Sequence, residues 1–464
     1  MSWFGALVLL SWPAVCLWMY RTQPLNRATV CTILGGQFLL PTGALVKLAP
    51  GIPQLDKTFI PNLAALLGCA LFAKQRVQFF SRIGLAELLI FMLIGGPFIT
   101  TMLNGDIVFT GGIPLPALTW YDAASTLDNE FAMLLPFFIG RQFLRNPADI
   151  EEILRILVIA ELFYSIPTLI EIRVSPQLHT WVYGYSAGEF LQQMRNGGYR
   201  PMVFIGHGLL TAFYLMTAVI AATALWRTRT RIAPASPSFV AMYLGAVLAL
   251  CHSFGALVYA TVAAPLVRLT KPRLQLRIAM VLATIALIYP LLRMADLVPA
   301  RLLLDWSGSY DADRERSLAF RFIEEQLLLE RALQRFIFGW GNFGRGRIFD
   351  IESGVDTSVS DGLWIIILGA WGLVGFVARF GLLILPVFRA AAALRFAESE
   401  RDGVFLAALA LILAIYVIDM LPNAPLTPWT WLICGALLGR AEAARAAVRR
   451  PIKRGVLVVG GAVR

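Results

Sequence analysis

Continuous apolar runs, long enough to cross a bilayer, recur from one end of this chain to the other. A crossing helix needs roughly 17–25 such residues. In hydrocarbon every backbone N–H and C=O must be satisfied within the protein, which leaves only helices or closed barrels. The runs are unbroken rather than alternating, so they predict helices and not barrel strands. Composition agrees: 58% of the 464 residues are hydrophobic and 15% charged, against about 45–50% and about 25% in soluble domains. The expected fold is an all-α polytopic membrane protein.

Spans are predicted at 3–19, 28–48, 59–74, 82–103, 128–144, 150–173, 201–226, 237–252, 253–269, 274–295, 361–388, 404–421 and 427–439. Segment 3–19 lacks a basic n-region and reads as a first span rather than a cleaved leader. A net charge of +11 would point to nucleic acid in a soluble chain. Here the cations fall in alternate short connections, as at Arg141 and Arg145 or Arg268, Lys271 and Arg273, and act as topology signals. No nucleic-acid partner is expected. The tail residues Arg440, Arg445, Arg449, Arg450, Lys453 and Arg454 predict an anchor on anionic lipid.

Residues 238–269 test the scheme. As one helix they would be about 48 Å long, against a hydrocarbon core of about 30 Å. A break near 252–255 shortens both halves and keeps the following arginines on the cytoplasmic side. The result is thirteen spans, N-terminus out and C-terminus in, with twelve as the alternative. Membrane helices thus occupy 1–173, 201–294 and 361–440, with loops at 174–200 and 295–360 facing out and a basic tail at 441–464. Within the larger loop, apolar residues over 316–335 recur at helical spacing and predict an amphipathic surface helix. Cys16, Cys31, Cys69, Cys251 and Cys434 lie in or beside apolar spans with no metal-like spacing, and read as inert packing residues.

Charged groups at the outer membrane edge are the candidates for chemistry. Arg200 precedes Pro201, which suits a first helical turn, so Arg200 should sit at a helix mouth. It reads either as a ligand-binding cation or as a snorkelling interfacial residue. Arg195 belongs to the same loop, and His207 lies two turns deeper as a packing or substrate-binding residue. The segment FGWGNFGRGR (338–347) frees its backbone at Gly339 and Gly341 for close approach to a ligand. With Trp340, Arg345 and Arg347 it could grip phosphate or sugar, or simply form a surface loop. Asp361 opens an apolar helix after a polar run. It could cap that helix, act as a general base, or do both.

Taken together, these features resemble the bacterial O-antigen ligase and Wzy-type polysaccharide polymerase superfamily, over roughly residues 195–390. Asp361 and Gly362, nine further residues, Gly372, two residues and Gly375 match the spacing of the ligase motif. Asp361 stands where ligases carry His, and Gly362 where they carry an amide or hydroxyl, which favours the polymerase branch. HSFGALVYA, containing Ser253, looks like the family's Ser-x-Gly span. Arg316 through Arg321, followed by GWG, looks like exopolysaccharide polymerases. The resemblance implies a GT-C-like glycosyltransferase without metal or cofactor, in the bacterial inner membrane with its site facing the periplasm. Its substrates would be undecaprenyl-diphosphate-linked oligosaccharides, and its partners a chain-length regulator and a flippase. Arg200, Arg316 and Arg321, with Arg314 and Arg345 behind them, would neutralise the departing diphosphate. Rival readings are an O-antigen ligase, a lipid-linked oligosaccharide flippase and a non-catalytic scaffold.

Overall fold

The computed structural model describes residues 2–47, 53–80, 83–110, 113–195, 198–232, 235–309, 312–350 and 352–449. Of the described residues 71% are helical. In order the helices are α1 (Trp3–Thr22), α2 (Leu25–Leu39), α3 (Phe59–Phe72), α4 (Leu85–Leu103), α5 (Trp120–Phe143), α6 (Pro147–Val174) and the short α7 (Leu178–Tyr183). There follow α8 (Gly208–Arg227), α9 (Pro237–Leu250), α10 (Phe254–Leu269), α11 (Pro272–Met294), α12 (Ala300–Gly308), α13 (Ala312–Leu333), α14 (Leu363–Ala393), α15 (Glu400–Asp419) and α16 (Pro428–Arg449). Three small antiparallel hairpins sit in connections: β1 (Leu45–Val46) with β2 (Leu55–Asp56), β3 (Val108–Thr110) with β4 (Ile113–Leu115), and β5 (Met194–Arg195) with β6 (Gly198–Tyr199).

Each predicted span overlaps a helix. Among the described residues, α1, α4, α6, α8, α11, α14 and α15 are long and apolar enough to cross a membrane, and α3, α9 and α10 are shorter apolar helices. The protein is an all-α, multi-pass membrane protein. In α15 and α8, 94% and 89% of the apolar window is buried, against 28% in α1 and 33% in α11. So α8 and α15 form the middle of the bundle, and α1 and α11 lie at a rim facing lipid. Local signals set the helix starts. Asn146 and Asp149 cap each other's backbone around Pro147, and Ser399 accepts from the Asp402 amide. The described cysteines form no disulfides, and four of the five are buried.

Three departures from helix matter most. The first is the predicted break in 238–269, which falls between α9 and α10 with His252 at φ +52°. The carbonyl it frees accepts from Arg200 Nε at 3.1 Å.

The second corrects the expected helix over 201–226. Residues 200–207 are not helical, Val203 has φ +47°, and α8 begins only at Gly208. Pro201 therefore starts no helix, and His207 is the N-cap of α8 rather than a residue two turns inside it. The cause is α6: the buried Glu171 carboxylate accepts from Met202 N at 2.7 Å and Val203 N at 2.8 Å, and Tyr164 Oη accepts from Phe204 N at 2.9 Å. These bonds replace the helical ones, so an apolar segment can stay irregular inside the protein.

The third lies inside α14, where Gly372 takes φ +62°. Residues 336–341 lie against this kink. Leu373 N donates to Phe336 O at 2.8 Å, Trp340 N to Gly369 O at 2.9 Å and Gly341 N to Ala370 O at 2.8 Å. A Cβ on Gly372 would stand 2.4 Å from Ile337 O, and one on Gly339 2.5 Å from Ala370 O. This pair of glycines lets two backbones touch.

The tail expectation also needs correction. Helix α16 runs on to Arg449, and Arg440 is 3% exposed, its Nη2 lying 2.6 Å from Asp402 Oδ2 and 3.2 Å from Glu398 Oε1. A buried guanidinium between two carboxylates cannot rest on lipid headgroups. Arg450, Lys453 and Arg454 lie outside the described residues.

Gly372→Ala should cost about 1–3 kcal/mol through overpacking, with added strain from the positive φ. The expected readout is a lower melting temperature of the purified protein in detergent, with Gly369→Ala, where a Cβ meets open space, as the tolerated control.

Candidate active site

The larger loop supplies the first half of the site. The amphipathic helix predicted over 316–335 is α13. It is held down at Glu325, whose carboxylate lies 3.0 Å from Arg293 Nε and accepts from Trp364 Nε1 at 2.8 Å and from Tyr289 Oη at 3.1 Å. Burial in that nest raises the Glu325 carboxyl above its usual range, against the pull of Arg293. One helical turn earlier stands Arg321, so docking Glu325 aims Arg321 at the start of α14. There its Nε lies 3.0 Å from Asp361 Oδ2, with each side chain 40% exposed.

Asp361 is itself fixed by its neighbours. Leu363 N donates to both Met420 O and Asn423 O at 2.9 Å, which ties the start of α14 to the end of α15. Gly362 permits this, because a Cβ there would come within 2.1 Å of Leu421 O. That contact gives a physical reason for the Gly beside Asp361.

A cavity of about 540 Å³ opens at this point, lined by Arg200, His207, Arg321, Asp361, Asp419 and Asn423 among others. A second cavity of about 210 Å³ shares Arg321 and Asp361, and is walled by Tyr289, Leu318, Phe322 and Ile365. The ion pair thus stands between a polar chamber and a mostly apolar one.

Of the residues singled out from sequence, the polar chamber gathers Arg200, His207, Arg321 and Asp361. Arg316 is exposed on α13 and lines neither cavity. Ser253 is buried at the N-cap of α10. Arg314 lies on α13 and Arg195 on β5, with side chains outside the described residues.

The GWG region has a different placement. Its glycines approach α14, away from the two chambers that share Arg321 and Asp361. Arg331 and Arg335 lie over the Trp340 ring, 3.6 Å and 4.3 Å from its centroid. Arg345 is 0% exposed and donates to Asp106 O at 2.9 Å, Pro116 O at 2.8 Å and Asp106 Oδ1 at 3.0 Å. Arg335 Nη2 reaches Asp106 Oδ2 at 2.6 Å. Arg347 pairs with Asp356. Trp340, Gly339, Gly341 and Arg345 therefore clamp the loop to α4 and α14, and line neither chamber.

Sequence reasoning missed Asp419, Asn423 and Gln193, which line the polar chamber, and the Glu325 nest. Asp419 carried a readable signal: it is an acidic residue in an otherwise apolar span, 404–421. No protein-family model matches the chain, and no curated protein sequence matches it either.

Asp106 gives a pH test of the clamp. Its hydrogen bonds from Arg335 hold its carboxyl below the usual value of 3.8. A depressed carboxylate stabilises the fold above its unfolded pKa and loses that contribution as pH falls through the folded value. Pepsin cleavage within 336–350 should therefore rise as pH falls below the unfolded value of 3.8 towards the lowered folded one. Asp106→Asn should be cleaved readily on both sides of that pH, with no such rise.

Proposed function

We propose that this protein is an inner-membrane glycosyltransferase that polymerises lipid-diphosphate-linked oligosaccharide units on the periplasmic side. The observation that carries the reading is that loop 174–200, loop 295–360 and the start of α14 bring Arg200, Arg321 and Asp361 to one chamber. These residues are far apart in sequence.

Sugar transfer from a polyprenyl diphosphate has two demands. Negative charge grows on the departing diphosphate, and fixed cations in a partly enclosed site stabilise it without reorganising. Arg200 and Arg321 supply those cations. The attacking hydroxyl must also lose its proton to a carboxylate in reach, and Asp361 is the candidate named by the sequence. The donor is the growing glycan on undecaprenyl diphosphate. The acceptor is the terminal hydroxyl of a new lipid-linked repeat unit. In-line attack inverts the anomeric carbon, and linkage analysis of the product reads that directly.

Purified protein supplied with lipid-linked repeat units should produce a ladder of longer lipid-linked products. Transfer restricted to a lipid A core acceptor would instead mark a ligase, and repeat units trapped inside a deletion strain would mark a flippase. Arg321→Lys should lower turnover about 100- to 1,000-fold. Arg200→Lys should fail comparably, since a point charge cannot reproduce a planar fork. An Arg200→Lys enzyme with wild-type yield would remove Arg200 from the reacting centre.

A further inference from the structure

Two carboxylates face the polar chamber, and only one of them has a structural reason to be there. Asp361 precedes the N-terminus of α14, where negative charge is favourable, and it is paired with Arg321. Asp419 is the last residue of α15, at the end of the helix dipole where a negative charge is unfavourable. It is 8% exposed. Among the described residues no Lys, Arg or His nitrogen lies within ion-pair distance of it. Its Oδ1 accepts from the neutral Asn423 Nδ2 at 3.1 Å. The charged and titratable groups around it are Arg200, His207, Arg321 and Asp361 across the chamber, Tyr259 from α10 and Tyr416 from its own helix. A buried carboxylate at the wrong pole of a helix, held by the Asn423 amide and the Tyr259 hydroxyl with no cation in ion-pair contact, is costly to fold. Such a group marks a function.

We propose that Asp419 takes the proton from the acceptor hydroxyl, and that Asp361 is a positioning residue that holds Arg321 in the chamber. The inference rests on the transferase reading above. As the hydroxyl oxygen bonds to the anomeric carbon of the donor, its proton passes to the Asp419 carboxylate. The carbon–oxygen bond to the diphosphate breaks with its electron pair staying on that oxygen, facing Arg321 and Arg200. The proton then leaves Asp419 to water in the chamber.

The test uses full-length protein in detergent with undecaprenyl-diphosphate-linked oligosaccharides extracted from cells that lack the protein. Asp419→Asn should lower kcat at least about 100-fold, with little change in KM and a melting temperature equal to or above wild type. Asp419→Glu should recover part of that kcat. Asp361→Asn should lose less, about 10-fold, and mainly by weakening donor binding. A wild-type protein that forms no product overturns the transferase reading and this inference with it. Active wild type with an equally active Asp419→Asn overturns the inference alone. So does an Asp419→Asn protein that melts earlier and loses activity only in step with its folded fraction, or an Asp361→Asn protein with the larger loss in kcat.

Discussion

Backbone groups freed from helical bonding inside an apolar body must be satisfied by the protein itself, because lipid offers no partner. That constraint organises everything around the polar chamber. Glu171 and Tyr164 of α6 satisfy the irregular segment 200–207. Arg200, at the head of that segment, in turn satisfies the carbonyl of His252 where α9 breaks from α10. Residues 336–341 do the same for the kink in α14. The Leu363 amide at the start of α14 finds the carbonyls of Met420 and Asn423 just past α15. Each break is bonded from a different stretch of chain. The site thereby becomes a junction of otherwise independent helices.

The same bonds explain why a charged chamber survives at the end of so apolar a bundle. Arg321 does not lie loosely on the surface: its helix is pinned one turn away by the Glu325 nest and its guanidinium is met by Asp361. A preorganised cation stabilises developing charge better than one that must first be ordered. The apolar chamber on the other side of the ion pair keeps water from surrounding it completely.

How much of this the sequence disclosed depends on whether the information was local. Apolar length revealed the helices, and excess length revealed the break near His252. The irregular segment 200–207 was hidden, since PMVFIGHG is as apolar as any helix and its partner Glu171 lies in another helix. Helical spacing in 316–335 revealed α13, but not the phase that turns Arg321 inward and leaves Arg316 exposed. That phase follows from the Glu325 contacts with α11 and α14. Arg345 looked like Arg321 in sequence, yet its partners are the backbone and carboxylate around Asp106. Asp419 escaped notice because a charge at the end of an apolar run usually marks the water boundary.

The docking of 336–341 onto α14 also closes a ring. The chain leaves at Phe336 and returns at Leu373, whose amide bonds the Phe336 carbonyl at 2.8 Å. Closing such a ring costs entropy that grows only with the logarithm of its length, and both of its ends are fixed at the base. Glu352, Ser353 and Val355 at its far turn are exposed. Extra residues accepted at that turn would lengthen the ring without disturbing its anchorage. That turn can therefore change in size and chemistry while the contact between Phe336 and Leu373 keeps its geometry.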